Sequence, residues 1–191
     1  MRHYCLGLIL VLLLAACGKV SEPFELTDIT GASFAQGFNL VDHQRQQRTL
    51  ADYKGKVVWL FFGYTHCPDV CPTTMSQLSL AYKQLGADAA KVQVLFVGLD
   101  PERDSPELLG QYAPAFNPSF VGLYGDAATI EKTTKDFKVF YQKNASTDPK
   151  FYTLDHSASV FVFDPEGKPR LFFTPAHSIE ALVSDTRKLF Q

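Results

Sequence analysis

The sequence predicts an α/β fold: a mixed central sheet with helices on both faces. Three observations carry that prediction. Two predominantly apolar runs, 57–62 and 92–99, are rich in β-branched and aromatic residues, as strands buried on both faces are. Stretches with helical spacing of apolar residues alternate with these runs. A later strand pair is joined by a tight turn, which adds an antiparallel hairpin to the sheet.

The elements follow in chain order. Phe38-Asn39-Leu40-Val41-Asp42, then polar residues and Thr49-Leu50, predict a short hairpin, and Lys54-Gly55-Lys56 turns into the first long strand at Val57. After Pro72, the residues Met75, Leu78, Tyr82 and Leu85 recur at spacings of three, four and three, one face of a helix ending near Gly86. The second long strand follows. Ser105-Pro106 opens another helix, a capping residue followed by proline at the first helical position. Helices are also predicted over 127–137 and 178–190, flanking strands at 160–163 and 171–173 that meet at the turn Asp164-Pro165-Glu166-Gly167. This order is a thioredoxin-like architecture.

Composition bounds the function. The chain has 191 residues, 46% hydrophobic and 20% charged, enough for one domain with a full-sized core. A net charge of −2 and no Lys/Arg block exclude the electrostatic footprint of nucleic-acid binding.

The amino terminus differs in kind from the rest. Leu6 to Ala16 is an uninterrupted run of eleven apolar or small residues. At 1.5 Å per residue it is too short for a bilayer core of roughly 30 Å, so residues 1–16 read as a signal peptide. The run ends Leu14-Ala15-Ala16-Cys17-Gly18, similar to a bacterial lipobox, in which the cysteine becomes the lipidated amino terminus. Residues 17–34 then form a lipidated tether and 35–191 the domain. The expected location is a bacterial cell envelope, membrane-bound through lipid, with the domain in the periplasm or extracytoplasmic space. Of four cysteines, Cys5 leaves with the signal and Cys17 is taken by lipid. Only Cys67 and Cys71 remain as thiols, in an oxidising compartment.

These two cysteines stand in Gly63-Tyr64-Thr65-His66-Cys67-Pro68-Asp69-Val70-Cys71-Pro72, directly after the first long strand. Ligands of open α/β sheets bind at the carboxyl ends of the strands. Pro72 is at ease in a first helical turn, which puts Cys71 at or beside a helix start, where the helix dipole is expected to favour thiolate. Redox thioredoxins have two residues between their cysteines; here there are three. The wider turn lets both sulfurs face one ion while a disulfide stays within reach. Two thiolates favour copper(I) or zinc, and an added imidazole extends the site to copper(II). A structural zinc site would want four ligands, and no second cysteine pair is present. The alternative is a disulfide staple of little entropic value, because its loop is so short.

Five histidines are candidates for the third donor. His3 leaves with the signal, and His43 and His177 lie in polar stretches where solvation is expected. His66 adjoins Cys67, but neighbouring side chains in an extended turn point apart. His156 directly precedes a buried strand, with Asp155 as a candidate outer-shell partner for its ring. On composition alone it reads as a hydrogen-bonded loop histidine.

Three motifs occur together in this order: residues 62–74 around the cysteines, Leu99-Asp100-Pro101-Glu102-Arg103-Asp104-Ser105-Pro106, and Leu154-Asp155-His156-Ser157. Over about 38–189 the chain resembles the Sco/SenC family of copper chaperones. The resemblance implies a thioredoxin fold anchored to a membrane and one copper, as Cu(I) or Cu(II), bound by Cys67, Cys71 and His156. It implies as partner the cytochrome c oxidase subunit that carries the dinuclear copper site. A second role implied by the family is thiol-disulfide exchange, with Cys67 and Cys71 as redox pair and a Cys67–Cys71 disulfide when oxidised. Arg103 is expected to pair with Asp100 or Asp104 and order the loop beside the site.

Overall fold

The structure is a computed structural model that describes residues 22–144 and 152–190. The expected signal peptide and Cys17 lie outside the described residues. Among those described, no helix is long and apolar enough to cross a membrane.

The strands are β1 (Thr27–Asp28), β2 (Asn39–Asp42), β3 (Gln47–Thr49), β4 (Val57–Gly63), β5 (Val92–Gly98) and β6 (Val121–Tyr124), then β7 (Tyr141–Asn144), β8 (Thr153–His156), β9 (Val160–Phe163) and β10 (Pro169–Phe173). The helices are α1 (Val70–Gln84), α2 (Pro106–Phe116), α3 (Ala127–Phe137) and α4 (Ile179–Lys188). Eight strands form one sheet in the order β1-β10-β9-β4-β5-β6-β2-β3, and β7-β8 form a separate pair. β4-β5 and β5-β6 are parallel, the other pairings antiparallel. The predicted mixed thioredoxin-like sheet is therefore present.

The two apolar runs form its centre because every residue of β4 is buried and must find apolar cover on both faces. On one face, Trp59 donates its indole N–H to Thr186 of α4 at 3.1 Å. Phe96 on the same face meets Tyr112 of α2 at 5.0 Å between ring centroids. On the other face, Phe62 and Phe161 pack edge-on against Phe137 of α3, each at 5.1 Å. The Ser105 hydroxyl accepts from the Leu108 amide, so α2 begins where its capping residue predicts.

Four strands were not legible in the pattern: β1, β6, β7 and β8. β6 holds Gly122, whose bare Cα is required because a Cβ there would lie 2.8 Å from the Leu109 side chain of α2. β1 lies within the segment read as a tether. It pairs with β10 (Thr27 opposite Phe172), and the amides of Glu25 and Leu26 donate to the buried Asp185 carboxylate of α4 at 2.7 and 2.8 Å. Lys188 completes this staple, bonding Asp185 and the Pro23 carbonyl. The folded body thus starts about ten residues before the expected boundary at 34/35, because a buried carboxylate and an open sheet edge both need partners.

Candidate metal centre

β4 and β5 run parallel, and their carboxyl ends open onto the turn that joins β4 to α1. Within it the Cys67 amide donates to the Tyr64 carbonyl at 3.2 Å, which closes a tight turn and aims the sulfur back toward the helix. α1 starts at Val70 without a side-chain cap, so its first turn has free amides. One of them, on Cys71, points at the Cys67 sulfur at 3.4 Å. Pro72 sits in the same first turn, as expected.

His156 arrives from the other side, at the end of β8. Its Nε2 lies 3.2 Å from the Cys71 sulfur. The donor atoms of Cys67, Cys71 and His156 all fall within 4.8 Å of one another, and both thiols are free. This is the only such cluster among the described residues. Phe61 and Tyr64 flank the imidazole at 6.1 and 5.9 Å, an apolar wall that limits water access.

Protons can be placed from the partners. The Ser157 carbonyl lies 3.0 Å from Nδ1 and can only accept, so Nδ1 carries the hydrogen. Burial lowers the ring's pKa, which keeps it neutral and leaves the Nε2 lone pair facing Cys71. The Cys71 S–H then donates to that lone pair. A metal ion entering here replaces the shared proton, so loading releases protons.

Gly63 makes room for this arrangement. A Cβ at that position would sit 2.9 Å from the Cys71 sulfur and 2.8 Å from the Phe96 ring. The sulfur occupies the space that any other residue's side chain would need.

Two expectations about the site are corrected. Asp155 is exposed and not the ring's partner, because side chains alternate along β8 and Asp155 faces away from His156. The Ser157 carbonyl orients the ring instead, a backbone atom that no residue type announces. Asp155→Asn should therefore leave metal affinity at the wild-type value in a chelator competition, and a tenfold loss would restore the carboxylate's role. The second correction concerns Cys71, whose thiol was expected to be acidified by the helix dipole. Burial instead pushes it well above its usual range. The dipole term is about 1 kcal/mol, whereas full desolvation can move a pKa by several units.

The remaining histidines stay apart from the cluster. His66 is exposed, its Nδ1 3.0 Å from the Thr65 hydroxyl. His43 and His177 are half-buried rather than solvated. His43 takes the Gly122 amide at 3.3 Å and packs against Gly110, and His177 takes the Thr174 amide at 3.0 Å. Arg103 pairs with Asp100, one of its two expected partners. Asp104 is buried and accepts from Thr65, and burial raises its pKa.

The chain resembles known proteins over most of its length. The sequence model of the SCO1/SenC family matches residues 26–191. The chain is 34% identical over 160 residues to the mitochondrial protein SCO2 homolog of Bos taurus, covering 82% of this chain and 60% of that one. It thus spans about three fifths of the length of the curated relatives it matches. Among solved structures, apo Sco1 of Thermus thermophilus is 40% identical with a TM-score of 0.78, covering 89% of this chain and 99% of that one. Bradyrhizobium japonicum ScoI with copper bound is 36% identical with a TM-score of 0.76, covering 82% and 99%.

Proposed function

The chain belongs to the SCO1/SenC family, and from that premise we propose that it is a copper metallochaperone. Its copper is held by Cys67, Cys71 and His156, one ion per domain, and is delivered toward the dinuclear copper site of a cytochrome c oxidase subunit. The observation that carries this reading is the convergence of two free thiols and a neutral imidazole within 4.8 Å. Soft sulfur donors suit copper(I), and the added nitrogen makes copper(II) tenable, so one site serves both states. The ion is cargo, and a three-donor site beside the surface leaves a side from which an acceptor's ligands can approach.

Metal analysis of the reduced protein tests the reading. One copper(I) per chain should survive competition with a moderate chelator, and a Cys67→Ser, Cys71→Ser double variant should retain none. Oxidation should join the two sulfurs and expel the ion, since a disulfide sulfur is no longer an anionic ligand. Copper retained in full by a preparation with a verified disulfide would rule out the shared site.

Thiol-disulfide exchange is the second reading, favoured by the nearness of the two sulfurs. Such chemistry would begin at Cys67, which is 9% exposed while Cys71 is fully buried. Turnover of a disulfide substrate by the metal-free reduced protein separates the two.

We further infer that residues 1–16 are removed as a signal peptide and that Cys17 carries lipid, holding the domain on a cell-envelope membrane in the periplasm or extracytoplasmic space. The support is the short apolar run ending at Ala15-Ala16-Cys17. Mass spectrometry of the membrane-extracted protein should find acyl chains on an amino-terminal Cys17, and Cys17→Ser should release the domain. An unmodified Cys17 in the membrane fraction contradicts this.

A further inference from the structure

The donors of the metal centre sit on two pieces that the main sheet does not join. Cys67 lies on the β4–α1 turn and Cys71 in the first turn of α1, but His156 lies on the β7–β8 pair, outside the eight-stranded sheet. The loop after β5 touches both pieces. On the histidine side, the Tyr152 hydroxyl donates to the Asp100 carboxylate, 2.7 and 2.8 Å from its two oxygens. Arg103 pairs with that same carboxylate through Nε and donates Nη1 to the Tyr152 carbonyl at 3.0 Å. Its guanidinium also lies over the Tyr152 ring, 3.5 Å from the centroid. On the cysteine side, Asp104 accepts from the Thr65 amide at 2.9 Å and the Thr65 hydroxyl at 2.6 Å, two residues before Cys67. The loop is closed on itself, since the Arg103 and Asp104 amides both donate to the Asp100 carbonyl.

We propose that Asp100, Arg103 and Asp104 are positioning residues: the loop latches the Tyr152 end of the histidine-bearing hairpin to the cysteine turn and so sets the spacing between imidazole and thiols. Asp100 and Asp104 are almost fully buried, Asp100 at 4% and Asp104 at 1% exposure. A buried ion pair yields little net stability over apolar packing, and what it does supply is directional geometry. Here that geometry reaches His156 through the four residues of β8, in a two-stranded pair whose ladder holds His156 only against Tyr141 of β7. The latch rests on the reading of Cys67, Cys71 and His156 as copper donors.

The test uses Arg103→Gln and Tyr152→Phe, each alone and combined with His156→Ala. Copper(I) and copper(II) affinities are measured by chelator competition on the reduced protein, with thiolate-to-copper absorption and thermal midpoint recorded alongside. Both single variants should lower copper(II) affinity about tenfold, as loss of an outer-shell partner does, and shift the absorption toward that of His156→Ala. Copper(I) affinity should hold, and neither change should lower copper(II) affinity further once His156 is gone. Wild-type copper(II) affinity in both variants, with a loss in His156→Ala, overturns the latch and leaves the donor assignment standing. Losses that are equal for both copper states and persist without His156 also overturn it, as plain destabilisation. Undiminished copper(II) binding by His156→Ala overturns donor assignment and latch together. If Arg103→Gln does not fold, Tyr152→Phe, which removes a single hydroxyl, decides the matter.

Discussion

His156→Ala should still bind one copper(I) ion in the reduced protein but lose most of its copper(II) affinity. Copper(I) accepts low coordination and soft donors, so Cys67 and Cys71 suffice for it. Copper(II) favours a tetragonal set with nitrogen or oxygen, and the Nε2 lone pair is the one such donor inside the 4.8 Å cluster. The loss should exceed the roughly 10- to 100-fold typical of an outer-shell partner. Absorption from thiolate to copper(II) should disappear with it. Competitive titration of both copper states for wild type, His156→Ala and His66→Ala is the measurement. Loss of copper(II) binding in His66→Ala, with His156→Ala unaffected, would mean the wrong imidazole has been assigned.

Gly63→Ala should damage the metal centre from behind. The new methyl would lie 2.9 Å from the Cys71 sulfur and 2.8 Å from Phe96, both within a packed interior. Overpacking of this kind costs about 1–3 kcal/mol. The Phe96 ring is wedged between Phe61 and Tyr112 and has little freedom to retreat. The sulfur therefore moves, and both copper states should weaken together, unlike the selective loss in His156→Ala. A thermal midpoint lowered by several degrees alongside wild-type copper(I) affinity would show that the strain is relieved elsewhere.

The centre of the fold was legible because its signals are local. The run from Val57 needs cover on both faces whatever surrounds it, and Ser105-Pro106 marks a helix start through its own cap. β6 escaped because a strand of four residues interrupted by Gly122 has no period to detect, and the reason for that glycine lies in Leu109, a neighbour in space. β7 and β8 escaped because they pair only with each other and expose half of their side chains. At the site, residue type and motif order brought the cysteines and His156 together, as the structure does. Asp155 misled because adjacency in sequence means opposite faces in a strand. The helix dipole at Cys71 is the weaker effect, because burial, a property of the whole fold, outweighs it. Tyr152 carried no signal, since nothing in its neighbourhood shows that its hydroxyl reaches Asp100.

The Asp185 staple at the amino-terminal edge has a consequence for reach. If Cys17 carries the proposed lipid, six residue steps separate it from Pro23, whose carbonyl already bonds Lys188 of the body. Six steps at full extension span at most about 20–22 Å. The domain would then be confined to a thin layer above the bilayer, at a local concentration set by that distance and not by bulk diffusion. On the proposed chaperone role, an acceptor would have to present its own ligands inside the same layer, and lengthening the segment before Pro23 should change which acceptors are served without touching a single donor atom.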